Sequence, residues 1–260
     1  MLRKKSFLVV ALLAMLAIGC KDNVVDTMDS NIPGKRVSKI YADAENYQLY
    51  LYSDQKLVKY ELVQNNLTET SISFRYQEDG KLESEEVIQN IVSDQRLYEY
   101  HYDNSGKISQ VDFSVKENNS FKKIGFFVFY YNQNNQIEKN VYTNNDQTLT
   151  QETQYSYYSD GNTKEKIRYV NGNLYDKATY EYDDKKNPVD LITSLAYSDM
   201  ATYKNNIVKS TTTESSDNPK TSIAQYNFTY SEDGYPLIRV LQYTDSDNNT
   251  IQKVEEYKYN

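Results

Sequence analysis

Tryptophan is absent from this 260-residue chain, and histidine and cysteine each occur once. Beyond Cys20 there is no thiol, so the body of the protein can hold neither a disulfide framework nor a thiolate-based site. With His101 the sole histidine, a Ser-His-Asp triad or a histidine-based metal site would have to pass through that one position. No Lys/Arg cluster relieves a formal net charge of -8, which sets the surface against phosphate backbones and excludes nucleic acid as a partner. After the first 20 residues no stretch sustains the i, i+3, i+4 apolar spacing of a helix. No cofactor motif is present. What remains for building a fold is burial and strand pairing.

The N-terminus stands apart. Arg3, Lys4 and Lys5 precede an apolar stretch, Phe7–Ile18, which is shorter than the ~20 residues that span a bilayer and so predicts an export signal over residues 1–19. Small residues run directly into Cys20, in Leu16-Ala17-Ile18-Gly19-Cys20, and match the lipobox of bacterial lipoproteins. Cleavage before Cys20 would free its thiol and amine for acylation, anchoring the protein beside a membrane without crossing it. Lys21-Asp22-Asn23 resembles the Lys/acidic export tag of surface-exposed Bacteroidetes lipoproteins. Removing residues 1–19 takes away three positive charges and moves the net charge from -8 to -11. Residues 20–36, polar and with Pro33-Gly34, read as the lipidated cysteine and a flexible tether; residues 37–260 read as a single repeat-built β domain.

That domain is organised by tyrosines and turns. There are 27 Tyr and 8 Phe, so tyrosine must supply much of the packing that leucine supplies elsewhere. The stretch Ala224–Val240 shows the unit: Tyr226, Phe228 and Tyr230 alternate with polar residues, Asp233-Gly234 turns the chain, and Leu237 and Val240 return. Versions recur at 72–82, 98–108, 127–137, 153–162 and 179–189, and tyrosines open the turns at Tyr76, Tyr102, Tyr131, Tyr157, Tyr182 and Tyr230. The longer gap before Tyr230 is filled by a degenerate hairpin, ATYKNNIVKS (201–210). Further turn signals fall at Asp54, Asn65-Asn66, Ser93-Asp94, Asn118-Asn119, Asn144-Asn145, Asn171-Gly172, Asp184–Asn187, Ser198-Asp199, Asn205-Asn206, Asp217-Asn218 and Asp247–Asn249. The pattern predicts an all-β antiparallel meander of at most ~17 short strands, closed or strongly curved because open twisted sheets rarely exceed ~10.

YEYDDKKNPVDL, ATYKNNIVKS and FTYSEDGYPLIRV together resemble a Bacteroidetes lipoprotein family of unknown function with a porin-like β fold, and more distantly Rhs/YD repeats. The resemblance begins near Ile72 and implies a many-stranded barrel or curved sheet. It brings no catalytic residues.

Several groups invite chemistry. Asp245, Asp247, Asn249 and Glu256 reproduce oxygen-ligand positions of a calcium loop, although Thr250 stands where glycine is needed and Lys253 where a ligand is; a polar hairpin turn accounts for the same residues. His101 lies on the face opposite the tyrosines, as a solvent-facing or cross-strand-paired residue. Gly125–Tyr131, GFFVFYY, predicts a strand buried on both faces. A lipid-embedded barrel needs apolar outward faces, and here Arg75, Glu99 and Glu181 occupy them. The sequence therefore predicts a lipid-anchored, surface-exposed protein of the outer membrane, working as a non-catalytic binding scaffold with glycan stacking on tyrosine as its leading chemistry. A docking subunit of an outer-membrane protein complex and a carboxylate-dependent hydrolase are the alternatives. An open tyrosine-lined cavity with carboxylates or amides favours a glycan, and a filled interior with an exposed apolar patch favours a protein partner. Facing carboxylates about 5–10 Å apart in a cleft favour the hydrolase.

Overall fold

The computed structural model describes residues 35–189, 194–216 and 219–260. The expected signal peptide, Cys20, and the Asp217-Asn218 turn lie outside the described residues. The strands are β1 (Val37–Tyr41), β2 (Tyr47–Ser53), β3 (Lys56–Gln64), β4 (Leu67–Tyr76), β5 (Leu82–Gln89), β6 (Asp94–Tyr102), β7 (Ile108–Glu117), β8 (Ser120–Tyr131), β9 (Ile137–Asn144), β10 (Thr150–Tyr157), β11 (Thr163–Val170), β12 (Asn173–Lys186), β13 (Asn205–Glu214), β14 (Lys220–Tyr230), β15 (Pro236–Thr244) and β16 (Thr250–Tyr259). Each pairs antiparallel with the next, and β16 pairs with β1, so the meander closes into a 16-strand barrel. Lys35 and Arg36, the last residues of the expected tether, are tied to the rim: Lys35 pairs with Asp233 and the Arg36 carbonyl accepts from Asn260 N–H.

The Asp/Asn/Gly signals work as turns because the backbone there enters the left-handed region. Gly234 has φ +82°, which spares it the Cβ clash of other residues, and the Ser231–Tyr235 turn it completes sets Tyr226 opposite Leu241 and Phe228 opposite Arg239.

The turn-opening tyrosines have a second task. At one rim the ladder between each odd strand and the even strand after it stops short; β5 and β6, for example, pair only from Ser84↔Glu99 inward. The tyrosine at the end of the even strand bridges the parting, donating its hydroxyl to the carbonyl of the facing strand: Tyr52 to Val37, Tyr76 to Leu57, Tyr102 to Leu82, Tyr131 to Ile108, Tyr157 to Ile137, Tyr182 to Thr163 and Tyr259 to Pro236, all at 2.6–2.9 Å. Burial pushes the hydroxyls of Tyr52, Tyr102, Tyr131, Tyr182 and Tyr259 far above their ordinary range, so they remain protonated donors. Removing one brace, as in Tyr102→Phe, leaves the ring in place and is expected to cost about 1 kcal/mol in urea unfolding. An unchanged midpoint would show the bond to be incidental.

The inward faces form the core, with Tyr50, Tyr60, Ile72, Phe74, Val111, Phe129 and Tyr226 all buried. β8 corrects one expectation: only Gly125 and Phe129, both facing inward, are buried, Phe126 and Val128 on the outer face are half-buried, and Tyr130 there is 46% exposed. The run is apolar because its inner half joins an aromatic cluster of Tyr98, Phe113, Phe127 and Tyr142. Gly125 makes room for it, since a Cβ there would meet the Tyr142 ring at 2.5 Å.

The largest departure lies between β12 and β13. Asp184 and Lys185 belong to β12 and Asn205-Asn206 to β13, so the expected hairpin ATYKNNIVKS does not form. Instead residues 187–189 and 194–204 fold inward. Val189, Ser194, Met200, Ala201 and Tyr203 are buried, and a single helical turn, α1 (Leu195–Ser198), crosses toward β5 and β6. Its Leu195 N–H donates to the Tyr100 hydroxyl at 2.9 Å and its Ala196 N–H to the Glu85 carboxylate at 3.0 Å. The Ser198-Asp199 signal is real, with φ +50° at Asp199, but it turns the chain inside the barrel.

Candidate functional site

A barrel of 16 strands is ordinarily wide enough for an aqueous channel. Here the inserted segment and the inward tyrosines occupy the lumen. Polar and charged side chains within it are matched to one another. Lys166 pairs with Asp199 of the inserted segment at 2.6 Å, Tyr155 donates to the Asp199 carbonyl at 2.7 Å, and Arg168 forks onto Asp176. Elsewhere in the lumen, Arg239 lies buried against Glu255, whose other oxygen meets Lys253 at 2.9 Å. Burial pulls the Glu255 carboxyl upward, but Arg239 and Lys253 outweigh it and hold the group below its ordinary range. Glu85 has no such cation. Burial drives its carboxyl up to about 7, against the opposing hydrogen bonds from Ser194, Tyr100 and Ala196 N–H.

Among the described residues, two recesses open this packed body to solvent. One, of about 330 Å³, is the lumen mouth at the rim opposite the tyrosine braces, where Asp43, Asn46 and Tyr47 of the β1–β2 turn face Gln48, Gln64 and Lys253. Gln48 is buried and accepts from the Tyr50 hydroxyl through Oε1 at 2.8 Å, which sets its amide orientation. The other, of about 450 Å³, is a slot through the wall between β13 and β14, bounded by Asp183, Val208, Lys209, Asn227, Phe228 and Tyr230.

The outer face of the wall is charged. Lys59–Glu61, Lys139–Glu152, Glu165–Lys177 and Glu181–Lys209 form ion pairs on strands from β3 to β13, and Arg75 and Glu99 are exposed. His101 belongs to this surface: its side chain is 53% exposed and its Nε2 stands 3.4 Å from Asp112, which also pairs with Lys123 at 2.7 Å. The calcium candidates do not converge. Asp245 caps its own hairpin, accepting from the N–H groups of Asp247 and Asn249 at 2.9 and 2.8 Å, while Glu256 lies far along β16 beside Tyr41. At ~3.4 Å per residue, that separation is on the order of 20 Å from the turn. Among the described residues, no three His, Cys, Asp or Glu side chains gather as a metal-holding group.

The polypeptide matches no family model and no curated protein. Among solved structures it is similar to a porin-like protein from Bacteroides uniformis, at 13% identity and a TM-score of 0.52, over 86% of this chain and 98% of that one. The barrel has the porin-like fold. A porin-like protein from Bacteroides vulgatus gives 11% identity and a TM-score of 0.49 over 86% and 99% of the two chains, and a TcdB2-TccC3 structure gives 13% and 0.34 over 82% and 14%. At these identities the likeness concerns the fold alone, and the Rhs/YD resemblance gains no support from it. A porin-like barrel is compatible with an outer-membrane location.

The sequence did not disclose the two openings. The lumen mouth and the wall slot are each assembled from residues on several strands, and only register brings them together.

Proposed function

We propose that this protein is a lipid-anchored barrel of the cell surface that stands in water and serves as a non-catalytic binding scaffold instead of a conducting pore. The observation that carries the reading is the ion-paired outer wall around a filled lumen. In a transmembrane barrel the outward band is apolar, and a Lys or Arg at the bilayer midplane costs about 2–4 kcal/mol. Here cations and carboxylates alternate along the wall from β3 to β13. The buried carboxylates of Asp176 and Glu255 are engaged by cations and that of Glu85 by hydroxyl and N–H donors, so none of these three stands free for the hydrolase alternative.

Anchoring then rests on Cys20 alone. With Cys20→Ser, the protein is expected to leave the membrane fraction and to stay monodisperse without detergent. Retention in membranes, or aggregation until detergent is added, would overturn the reading. The lumen mouth suits a neutral glycan, because Asn46, Gln48 and Gln64 offer amides and Tyr47 a ring edge. The inward-facing tyrosine rings elsewhere are packed in the core and the rim braces, which leaves them no free face for stacking inside the lumen. A glycan array probed with the Cys20→Ser protein tests the ligand class, and absence of binding to any glycan would remove it.

A further inference from the structure

The β13–β14 parting breaks the rule of the other seven. Its ladder runs from Glu214↔Lys220 to Lys209↔Gln225 and stops, although β13 continues back to Asn205 and β14 on to Tyr230. By analogy with its counterparts, Tyr230 would donate to a carbonyl at the start of β13. Instead its hydroxyl turns past β13 to the Asp183 carboxylate on β12, and Asn206 Nδ2 approaches that hydroxyl at 3.4 Å. Asp183 is held for this role, receiving Asn206 N–H at 3.1 Å and Lys185 N–H at 3.0 Å. The wall slot opens where the brace is missing, and its 450 Å³ is in the range of ligand sites, about 300–1,000 Å³.

We propose that this slot receives an extended peptide from a partner protein, added as a strand along the β14 edge between Tyr226 and Tyr230. On its far side this stretch is paired in regular register with β15, from Tyr226↔Leu241 to Thr229↔Ile238, so it is a preformed strand offering one open edge. An exposed strand edge recognises backbone first, and alternate side chains supply selectivity. The inward-facing rings of Tyr226 and Phe228 would take an apolar side chain, and the Glu181–Lys209 pair at 3.0 Å would meet the polar residues on either side of it. This inference is independent of the glycan reading of the lumen mouth, which lies at the opposite rim.

The test uses the chain from residue 20 onward with Cys20→Ser, panned against a phage-displayed library of random octapeptides. Enriched peptides are expected to alternate apolar and polar residues, and their binding should slow amide exchange at Tyr226–Tyr230. A proline at the central position of such a peptide, which removes a backbone donor, should weaken binding about tenfold. Phe228→Ala should do the same by removing the apolar floor. Because that truncation also touches the core, Asn227→Trp at an exposed position serves as the second variant, blocking the slot with thermal stability unchanged. Failure to enrich any peptide, equal binding by the proline peptide, or exchange protection confined to other strands would overturn the proposal.

Discussion

Replacing Arg239 with methionine is expected to destabilise the barrel by about 3–5 kcal/mol, because it strands a buried carboxylate. Arg239 and Glu255 are both nearly inaccessible, and the guanidinium donates through Nε at 2.7 Å while the rings of Tyr226 and Tyr257 lie 5.5 and 5.9 Å from its centre. With the arginine gone, Glu255 keeps only Lys253, which is half in solvent. The pH dependence should change sign with it. In the native protein the Glu255 carboxyl sits below its ordinary value, so its contribution is present above the unfolded-state value and fades as pH falls. In Arg239→Met, burial wins, and the loss should be greatest at neutral pH and smallest in acid. The double variant Arg239→Met with Glu255→Met should recover most of the stability, because the cost lies in the unpaired charge. Urea unfolding of the three proteins at pH 5 and 8 decides it; a single-variant loss below about 1 kcal/mol would show that the pair is not buried as described.

The sequence makes the barrel legible and its contents obscure, for a physical reason. Strand repeats obey local rules: a period of two puts Tyr98, Tyr100 and Tyr102 on one face, and Asp-Gly or Asn-Asn supplies the positive φ at the turn. Those rules hold at almost every hairpin and fail between Tyr182 and Asn205. There Asn187-Pro188, Asp199 and Asn205-Asn206 carry the same turn chemistry, but they serve a segment whose partners are Glu85, Tyr100 and Tyr155, far away in sequence. Nothing local distinguishes a turn between two strands from a turn inside a lumen. The count of at most ~17 strands came out at 16 because three expected turns, Asp184–Asn187, Ser198-Asp199 and Asn205-Asn206, fall in the single passage from β12 to β13, while the turn between β1 and β2 carries no paired Asn/Asp/Gly signal. Tyr230 shows the same limit at single-residue scale. Its position in the repeat is that of Tyr102 or Tyr182, and only the carboxylate of Asp183 two strands away redirects its hydroxyl and leaves the wall open.

The stability of the protein is also expected to decline as pH rises from about 4.5 to 7, by an amount that Glu85→Gln abolishes. Glu85 is fully buried, and its carboxyl is pushed up to about 7 from an ordinary 4.5. Its neutral form is therefore the one the fold prefers. The contribution is complete below the unfolded-state value and is lost as pH climbs through the folded one; a shift of that size corresponds to about 3 kcal/mol. Other carboxylates, such as Asp233 held low by Lys35 and Ser231, move stability the opposite way, so the informative quantity is the difference between native protein and Glu85→Gln. That difference should be small at pH 5 and should favour the glutamine variant by up to about 3 kcal/mol at pH 8. Two curves running parallel would remove Glu85 from the account. The residue joins the wall to the inserted segment through Tyr100 and Ala196 N–H, so its ionisation should also be visible locally. Amide exchange at Leu195 and Ala196 should quicken above pH 7 in the native protein beyond the intrinsic rate, and stay slow in the variant, because a charge forced into the lumen is relieved most cheaply by letting water reach that one helical turn.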